Sequence, residues 1–325
     1  MKMFTINPAE YRDTFLTQGW VNIRNGVDPE FLQYLQGAYA ERRLSDKLGD
    51  VGNTKKKDQY RFVPPEDIAM TVDLFALVTG ICGSDPNGMT LSERHVNRYL
   101  PDVDPDPPAH KDRFATQIAV GLAIEVPPES HLVLYPYDHL DINVYGMSAD
   151  YRASLPPERL PEVLLQDEPS AVVYDRPGDV MLFPGSSMWH RRCNAADTVV
   201  LYLKCNDFNW DPLGEDPSTE GRRSWTAALV DSGHEAVGTS IAVLSRQLEW
   251  FGRVSQRDGQ ERPYGKLWRQ EPFPLSEVEW QVLKALEKRR TPSSAAVADF
   301  DSSVVIALAG RGAVDLLTPQ LIPAS

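Results

Sequence analysis

Apolar positions along this chain change their period twice. Near the start they recur at helical spacing: Tyr11, Phe15 and Leu16 lie within residues 8–18, and Gly19 closes the stretch. Trp20-Val21-Asn22-Ile23 then alternates as a short strand, and Asn25-Gly26 is a turn signal. Asp28 stands as an N-cap with Pro29 at the first helical position, and Phe31, Leu32, Leu35 and Tyr39 follow on one face. Residues 45–67 are polar, with Lys55-Lys56-Lys57 and two glycines, which predicts a flexible loop or a lid. An apolar helix is expected over 67–82.

Between about 95 and 205 the pattern is that of strands and turns. His95-Val96-Asn97-Arg98-Tyr99-Leu100 alternates, and Ile118-Ala119-Val120-Gly121-Leu122-Ala123-Ile124 reads as a buried strand. Further strands are expected at 132–135, 171–174, 179–183 and 198–203, with tight turns at Pro177-Gly178-Asp179 and Pro184-Gly185-Ser186. Together they predict a mainly β fold with flanking helices (α+β), its core a double-stranded β-helix, a jelly-roll barrel of two sheets. Prolines at 156, 157 and 161 mark a helical insertion over 148–168 at the barrel mouth.

After Asn206 strand character fades. Helices are expected near 221–231 and near 238–252, the second from the spacing of Ile241, Leu244, Leu248 and Phe251. Ser276 and Glu279 form a capping box, and Val278, Val282, Leu283 and Leu286 share a face behind it. A short helix after Pro292, another through Val304, Val305 and Leu308, and a strand at 313–317 complete a small winged-helix-like module. The expected domains are 1–215 for the barrel with its N-terminal helices, 216–270 for a helical linker, and 271–325 for the module.

Composition narrows the function. The 325 residues carry a net charge of −13, which argues against nucleic acid or an anionic membrane as a partner. DNA binding by the module would lean on Lys284, Lys288, Arg289, Arg290 and Arg311, but readout of bases needs a basic, polar recognition helix. A dimerisation or substrate-covering role fits better, and a homodimer through this module is one expectation. Cys82, Cys193 and Cys205 show no paired spacing and read as reduced thiols. The N-terminus lacks the apolar core of a signal peptide, and no apolar run would span a bilayer, so a cytoplasmic location is expected.

The candidate chemistry lies in Ala109-His110-Lys111-Asp112-Arg113 and, far downstream, in Trp189-His190-Arg191-Arg192. On a strand alternate residues face one side, so a strand is expected here, with His110 and Asp112 addressing one ion while Lys111 points away. His190 supplies a third ligand from a distant strand. Two imidazoles and one carboxylate suit Fe(II) and leave positions open for a bidentate co-substrate and O2. A second His-x-Asp, His139-Leu140-Asp141, competes with the first. Pro105, Pro107 and Pro108 leading into His110, the buried strand behind it, and the room for several strands before His190 favour the first.

The opening Phe15-Leu16-Thr17-Gln18-Gly19-Trp20-Val21 through Val27-Asp28-Pro29-Glu30, then His-x-Asp, Gly-Asp and Trp-His in that order, resembles phytanoyl-CoA dioxygenase-like enzymes over about the first two thirds of the chain. The resemblance implies Fe(II) held by His110, Asp112 and His190, with 2-oxoglutarate and O2 as co-substrates. It implies oxidation, hydroxylation above all, of a C–H bond. Halogenases of this kind have a small residue where Asp112 stands. One feature departs from the family: its co-substrate arginine, about ten residues past the distal histidine, falls here on Val200 and Leu201. Alternation places Thr198, Val200, Tyr202 and Lys204 on one face. Lys204, with Thr198 or Tyr202 beside it, is therefore the first candidate for the co-substrate carboxylate, and Arg192 is the second.

Asn97, Arg113, Gln117, Tyr135, Asn143 and Trp189 are candidate substrate contacts, although each is the kind of residue that also serves packing. Their polarity suits a small amino-acid-like or natural-product substrate. Two other readings stand beside this one: a JmjC-type protein hydroxylase, which also joins a barrel to a winged helix, and a non-catalytic cupin-like binding or regulatory protein.

Overall fold

The computed structural model describes residues 1–40, 57–64, 67–136, 141–287 and 297–317. The chain divides into two compact units, Met1–Asn209 and Trp210–Ser325. Among the described residues no helix is long and apolar enough to cross a membrane.

The first unit opens with α1 (Arg12–Gln18), β1 (Val21–Ile23) and α2 (Pro29–Ala40). Gly19 ends α1 in the left-handed conformation at φ 81°, its N–H donating to the Phe15 carbonyl. The Asp28 carboxylate accepts from the Glu30 N–H at 2.9 Å, so the predicted cap forms. Then come β2 (Lys57–Arg61), α3 (Asp67–Cys82), β3 (Thr90–Tyr99), β4 (Ile118–Glu125) and β5 (His131–Tyr135). The helical insertion follows as α4 (Ser148–Ser154) and α5 (Pro161–Leu164), and the unit closes with β6 (Ala171–Val173), β7 (Val180–Phe183), β8 (Trp189–Cys193) and β9 (Val199–Asn206).

These strands form two antiparallel sheets. The larger runs β1-β7-β4-β9-β3-β2 and the smaller β6-β5-β8. Strand alternation decides what each face carries. On the outer face of the large sheet Val96, Val120, Leu122, Leu182, Leu201 and Leu203 pack against Phe31 and Leu35 of α2 and Leu74, Leu77, Val78 and Ile81 of α3. Each such side chain taken from water is worth about 1.5–3 kcal/mol, so this is where the unit gains its stability. Inward, the register aligns Glu93 with Lys204, His95 with Tyr202 and Asn97 with Val200. Next to them β4 presents only Ala119, Gly121 and Ala123. A Cβ on Gly121 would stand 3.3 Å from the Tyr202 ring, so the small residues make room for the large ones. Ala119, Met181 and Phe183 of the large sheet meet Leu132, Leu134 and Val173 of the small one in a closed apolar cluster. On the small sheet's outer side, Val133, Tyr135, Trp189 and Cys193 pack with Tyr151 of α4 and Leu165.

Two expectations change here. The polar stretch 45–67 contains a strand: Lys57–Arg61 pairs with Tyr99 through His95, because its alternation offers β3 an edge partner. The lid reading of the remainder falls largely on residues outside those described. The His-x-Asp segment is not a strand either. His110 makes one isolated bridge to His190, and Lys111 and Asp112 run on as extended loop.

The second unit holds α6 (Pro217–Asp231), α7 (His234–Gly238), β10 (Ile241–Leu244), β11 (Leu248–Ser255), β12 (Glu261–Leu267), β13 (Phe273–Pro274), α8 (Glu277–Glu287), α9 (Ser302–Gly310) and β14 (Val314–Leu317). The helix expected over 238–252 is instead two strands. Ile241–Leu244 pairs with Val314–Leu317, and Leu248–Ser255 forms a hairpin with β12. The apolar spacing there suited either period, and pairing with distant strands decided it. The capping box of α8 forms: the Ser276 N–H donates to the Glu279 carboxylate at 2.7 Å, and the Glu279 N–H to the Ser276 hydroxyl at 3.3 Å. Val237, Ile241 and Leu248 share one cluster with Leu283 and Leu308, so residues 216–270 and those beyond 271 pack together. The short helix expected after Pro292 lies outside the described residues.

Candidate metal centre

His190 is the buried anchor of the site. It sits on β8 facing inward, its ring edge-on to Phe183 with centroids 4.7 Å apart. Its Nδ1 lies 2.9 Å from the Met188 carbonyl. Nδ1–H is therefore the donor and Nε2 carries the lone pair, the tautomer a metal ligand needs. Burial lowers the imidazole's pKa, which Asp112 only partly offsets, so His190 is neutral near pH 7.

His110 reaches the same point from the loop before β4. Its backbone pairs with His190 in both directions, at 2.9 and 3.0 Å, and the two rings lie 4.4 Å apart by centroid. Asp112 is fixed by its backbone: its N–H donates to the Gly185 carbonyl at 2.8 Å, and its own carbonyl accepts from the Asn143 side-chain amide at 2.7 Å. Lys111, between the two, is buried on the opposite side, with Nζ on the Asp141 carbonyl and 5.1 Å from the Trp189 ring centre. The alternation read from His-x-Asp holds even without a strand.

The result is a three-donor face. Asp112 Oδ1 lies 3.9 Å from His110 Nε2, and Oδ2 lies 3.9 Å from His190 Nε2. One ligand atom from each residue lies within 4.8 Å of the others. His110 is half exposed, so the face opens toward solvent on one side. This donor set, with one tautomer already fixed and no Cβ on Gly185 to crowd the carboxylate, fits a divalent transition metal.

Charge around the face is tightly arranged. Lys204 Nζ donates to Asp112 Oδ1 at 3.1 Å and lies 3.3 Å from Glu93 Oε2. Glu93 in turn takes Arg113 Nε at 2.8 Å. Burial raises the pKa of Asp112, but Lys204 and the two histidines outweigh it and hold the carboxyl well below its usual range. Burial lowers that of Lys204, and Asp112 with Glu93 more than restores it. Arg192 is held bidentately by the buried Asp175 at 2.9 and 2.7 Å, and its Nε has no partner among the described residues. Tyr202 bonds both Arg192 and Tyr99, and the Thr198 hydroxyl is 2.9 Å from that of Ser130.

The structure therefore gathers His110, Asp112, His190, Lys204 and Arg113 at one place, with Tyr202, Thr198 and Arg192 beyond them. Asn97 faces the same interior and accepts from Gln59 at 2.9 Å. The other residues expected at the substrate are placed elsewhere or engaged by the chain. Tyr135 and Trp189 turn to the outer cluster, Asn143 serves the Asp112 loop, and the Gln117 side chain accepts from the Asp207 N–H at 2.8 Å. Of the competing His139-Leu140-Asp141, the first two residues lie outside the described ones, and Asp141 pairs with Arg159. Sequence reading missed Glu93, Asp175 and Lys57. Alternation back from His95 would have brought Glu93 to the inner face. Lys57, paired in register with Tyr99, holds its ammonium 5.9 Å from that ring's centre.

No model of a known protein family matches the chain, and no curated protein does. Among solved structures it is similar to the non-heme alpha-ketoglutarate-dependent carbocyclase SnoK from nogalamycin biosynthesis, at 16% identity and a TM-score of 0.45 over 63% of this chain and 87% of that one. It is also similar to HygX from Streptomyces hygroscopicus with nickel and 2-oxoglutarate bound (12%, TM-score 0.42, 63% and 89%). A third is EctD from S. alaskensis with bound Fe (15%, TM-score 0.43, 62% and 76%).

Proposed function

We propose that this chain is an Fe(II)- and 2-oxoglutarate-dependent dioxygenase of the phytanoyl-CoA dioxygenase-like kind, hydroxylating an unactivated C–H bond of a small polar substrate. The observation that carries this reading is the convergence of His110 Nε2, the Asp112 carboxylate and His190 Nε2 inside a two-sheet barrel, with the His190 tautomer fixed by Met188. His110, Asp112 and His190 would hold the iron, which with 2-oxoglutarate and O2 supplies the oxidising chemistry and releases succinate and CO2.

The protein's part is to position. Met188 keeps the His190 lone pair on the metal side, and Asn143 and Gly185 fix the Asp112 backbone. Phe183 packs edge-on against the His190 ring and braces its orientation. The co-substrate's far carboxylate needs cationic and hydroxyl donors deeper in the barrel. Arg192 with its unpartnered Nε–H, Tyr202 and Thr198 are assigned that task, because Lys204 is already taken by Asp112 and Glu93. Asn97 and the half-exposed side of His110 face the place left for substrate, and polar groups there suit an amino-acid-like or natural-product molecule. The second unit, Trp210–Ser325, is proposed to include a winged-helix-like C-terminal part and to join two copies into a homodimer, and the protein is proposed to act in the cytoplasm. Multi-angle light scattering of the full chain and of one cut after Asn209 tests that part.

One observation favours a second reading, a non-catalytic metal-binding protein. Lys204 and Arg192 both already carry a carboxylate from the chain itself. Succinate release separates the two. The oxygenase forms succinate from 2-oxoglutarate in an Fe(II)-dependent way, uncoupled or coupled to a metabolite pool, and the binder forms none.

A further inference from the structure

Behind the ligand face runs an alternating chain of buried charges: Arg113, Glu93, Lys204, Asp112. Its contacts are 2.8, 3.3 and 3.1 Å. Glu93 is 3% exposed at its side chain, and Arg113 and Lys204 are 11% and 15% exposed, so water screens these pairs little. We infer that Lys204 is a positioning residue for the metal-ligating carboxylate of Asp112, held in place by Glu93 and Arg113, and is not an anchor for the co-substrate. The inference rests on reading His110, Asp112 and His190 as metal ligands.

Three features argue for it. First, the Lys204 ammonium already lies between two carboxylates, so binding a third would mean giving up one of them. Second, it touches a ligand atom directly. The far carboxylate of 2-oxoglutarate is three carbons beyond the keto group that would chelate, whereas this ammonium sits against a ligand atom itself. Third, the ammonium takes Oδ1 alone. Oδ2, which faces His190 Nε2, has no hydrogen-bond donor among the described residues. Lys204 thus turns the carboxylate so that one oxygen is engaged and the other is available.

Two acids and two bases sum to zero, so a divalent ion enters with both its charges uncompensated by this set. A doubly anionic co-substrate balances them. Without Lys204 the same pocket would hold a net negative charge and bind the metal more tightly.

That gives opposite signs for two variants. Lys204→Met removes a cation from beside the ligand and is expected to tighten metal binding by about tenfold. Glu93→Gln frees Lys204 to pair wholly with Asp112 and is expected to weaken metal binding by about tenfold. Lys204→Arg keeps the charge and is expected to restore wild-type affinity. Anaerobic calorimetric titration of the full chain with Fe(II) reads the affinity. The visible bands of the Co(II)-loaded protein read the ligand geometry, and they should shift in Lys204→Met and return in Lys204→Arg. Should Lys204→Met fail to fold by circular dichroism, Lys204→Gln carries the same sign. A merely structural role predicts weaker binding in both variants, and that result overturns the inference. Unchanged metal affinity in Lys204→Met, with 2-oxoglutarate affinity at saturating metal falling more than about tenfold, also overturns it and makes Lys204 the anchor. Failure of the ligand reading looks different: metal affinity would then survive His190→Ala.

Discussion

His110 and His190 donate their backbone N–H groups to each other's carbonyls, at 2.9 and 3.0 Å. This single bridge, outside any longer ladder, sets the spacing of two rings that come from opposite ends of the barrel's sequence. Because the spacing is set by backbone, either side chain can be removed without moving the other. His110→Ala is expected to abolish tight metal binding while changing stability by no more than about 0.5 kcal/mol, since the ring is half exposed. His190→Ala is expected to lose the metal as well and to cost about 1–3 kcal/mol, because that ring is buried against Phe183. Urea denaturation beside metal titration checks both.

Gly185 brings the backbone close to the Asp112 carboxylate. A Cβ there would stand 2.8 Å from Asp112 Oδ2 and 2.7 Å from the Thr116 methyl carbon. Gly185→Ala is expected to displace the carboxylate, lower metal affinity by at least about tenfold and destabilise the fold by about 1–3 kcal/mol. An unaltered Co(II) spectrum in this variant would show that the loop yields without moving Asp112.

Much of this site could be read from the sequence, for identifiable reasons. The alternation of Thr198, Val200, Tyr202 and Lys204 places them on one face because the intervening Val199, Leu201 and Leu203 are needed against the outer helices. His-x-Asp picks the pair that the structure brings beside His190, because extended backbone alternates with or without a sheet partner. What could not be read were partners fixed by pairing across long separations. Asp175 follows β6 in an unremarkable Tyr-Asp-Arg, and only the fold brings it to Arg192. The stretch from Ile241 to Phe251 has apolar spacing that a helix and two strands share, and Val314–Leu317 settled it by pairing with Ile241–Leu244.

The Arg192–Asp175 pair is buried on both sides, at 4% and 5% side-chain exposure. Removing the acid alone leaves a guanidinium charge in the interior. Asp175→Ala is expected to cost about 3–5 kcal/mol, read from urea denaturation. A loss below about 1 kcal/mol would mean that Arg192 finds another anion or reaches water.

Acid should destabilise the metal-free protein through His190. Its folded pKa is lowered by burial below the ordinary value of 6.5, so the unfolded chain binds the proton first. Stability is thus full above about pH 6.5 and falls as the pH drops below it. A metal ion, which needs the same neutral ring, should be released over the same range. Thermal melts between pH 5 and 8 should show this slope, and His190→Phe should reduce it, with His110, whose pKa is lowered to about 3, supplying the remainder. An equal slope in that variant would assign the acid sensitivity to other groups.

The most direct test of the central claim is anaerobic titration of the Fe(II)-loaded protein with 2-oxoglutarate, following the weak visible charge-transfer band of the bidentate chelate. The account predicts a saturable band in the wild type that is absent in His110→Ala and weakened in Arg192→Ala. A folded, iron-loaded protein that shows no band at any 2-oxoglutarate concentration would contradict it and leave a metal-binding protein without this co-substrate.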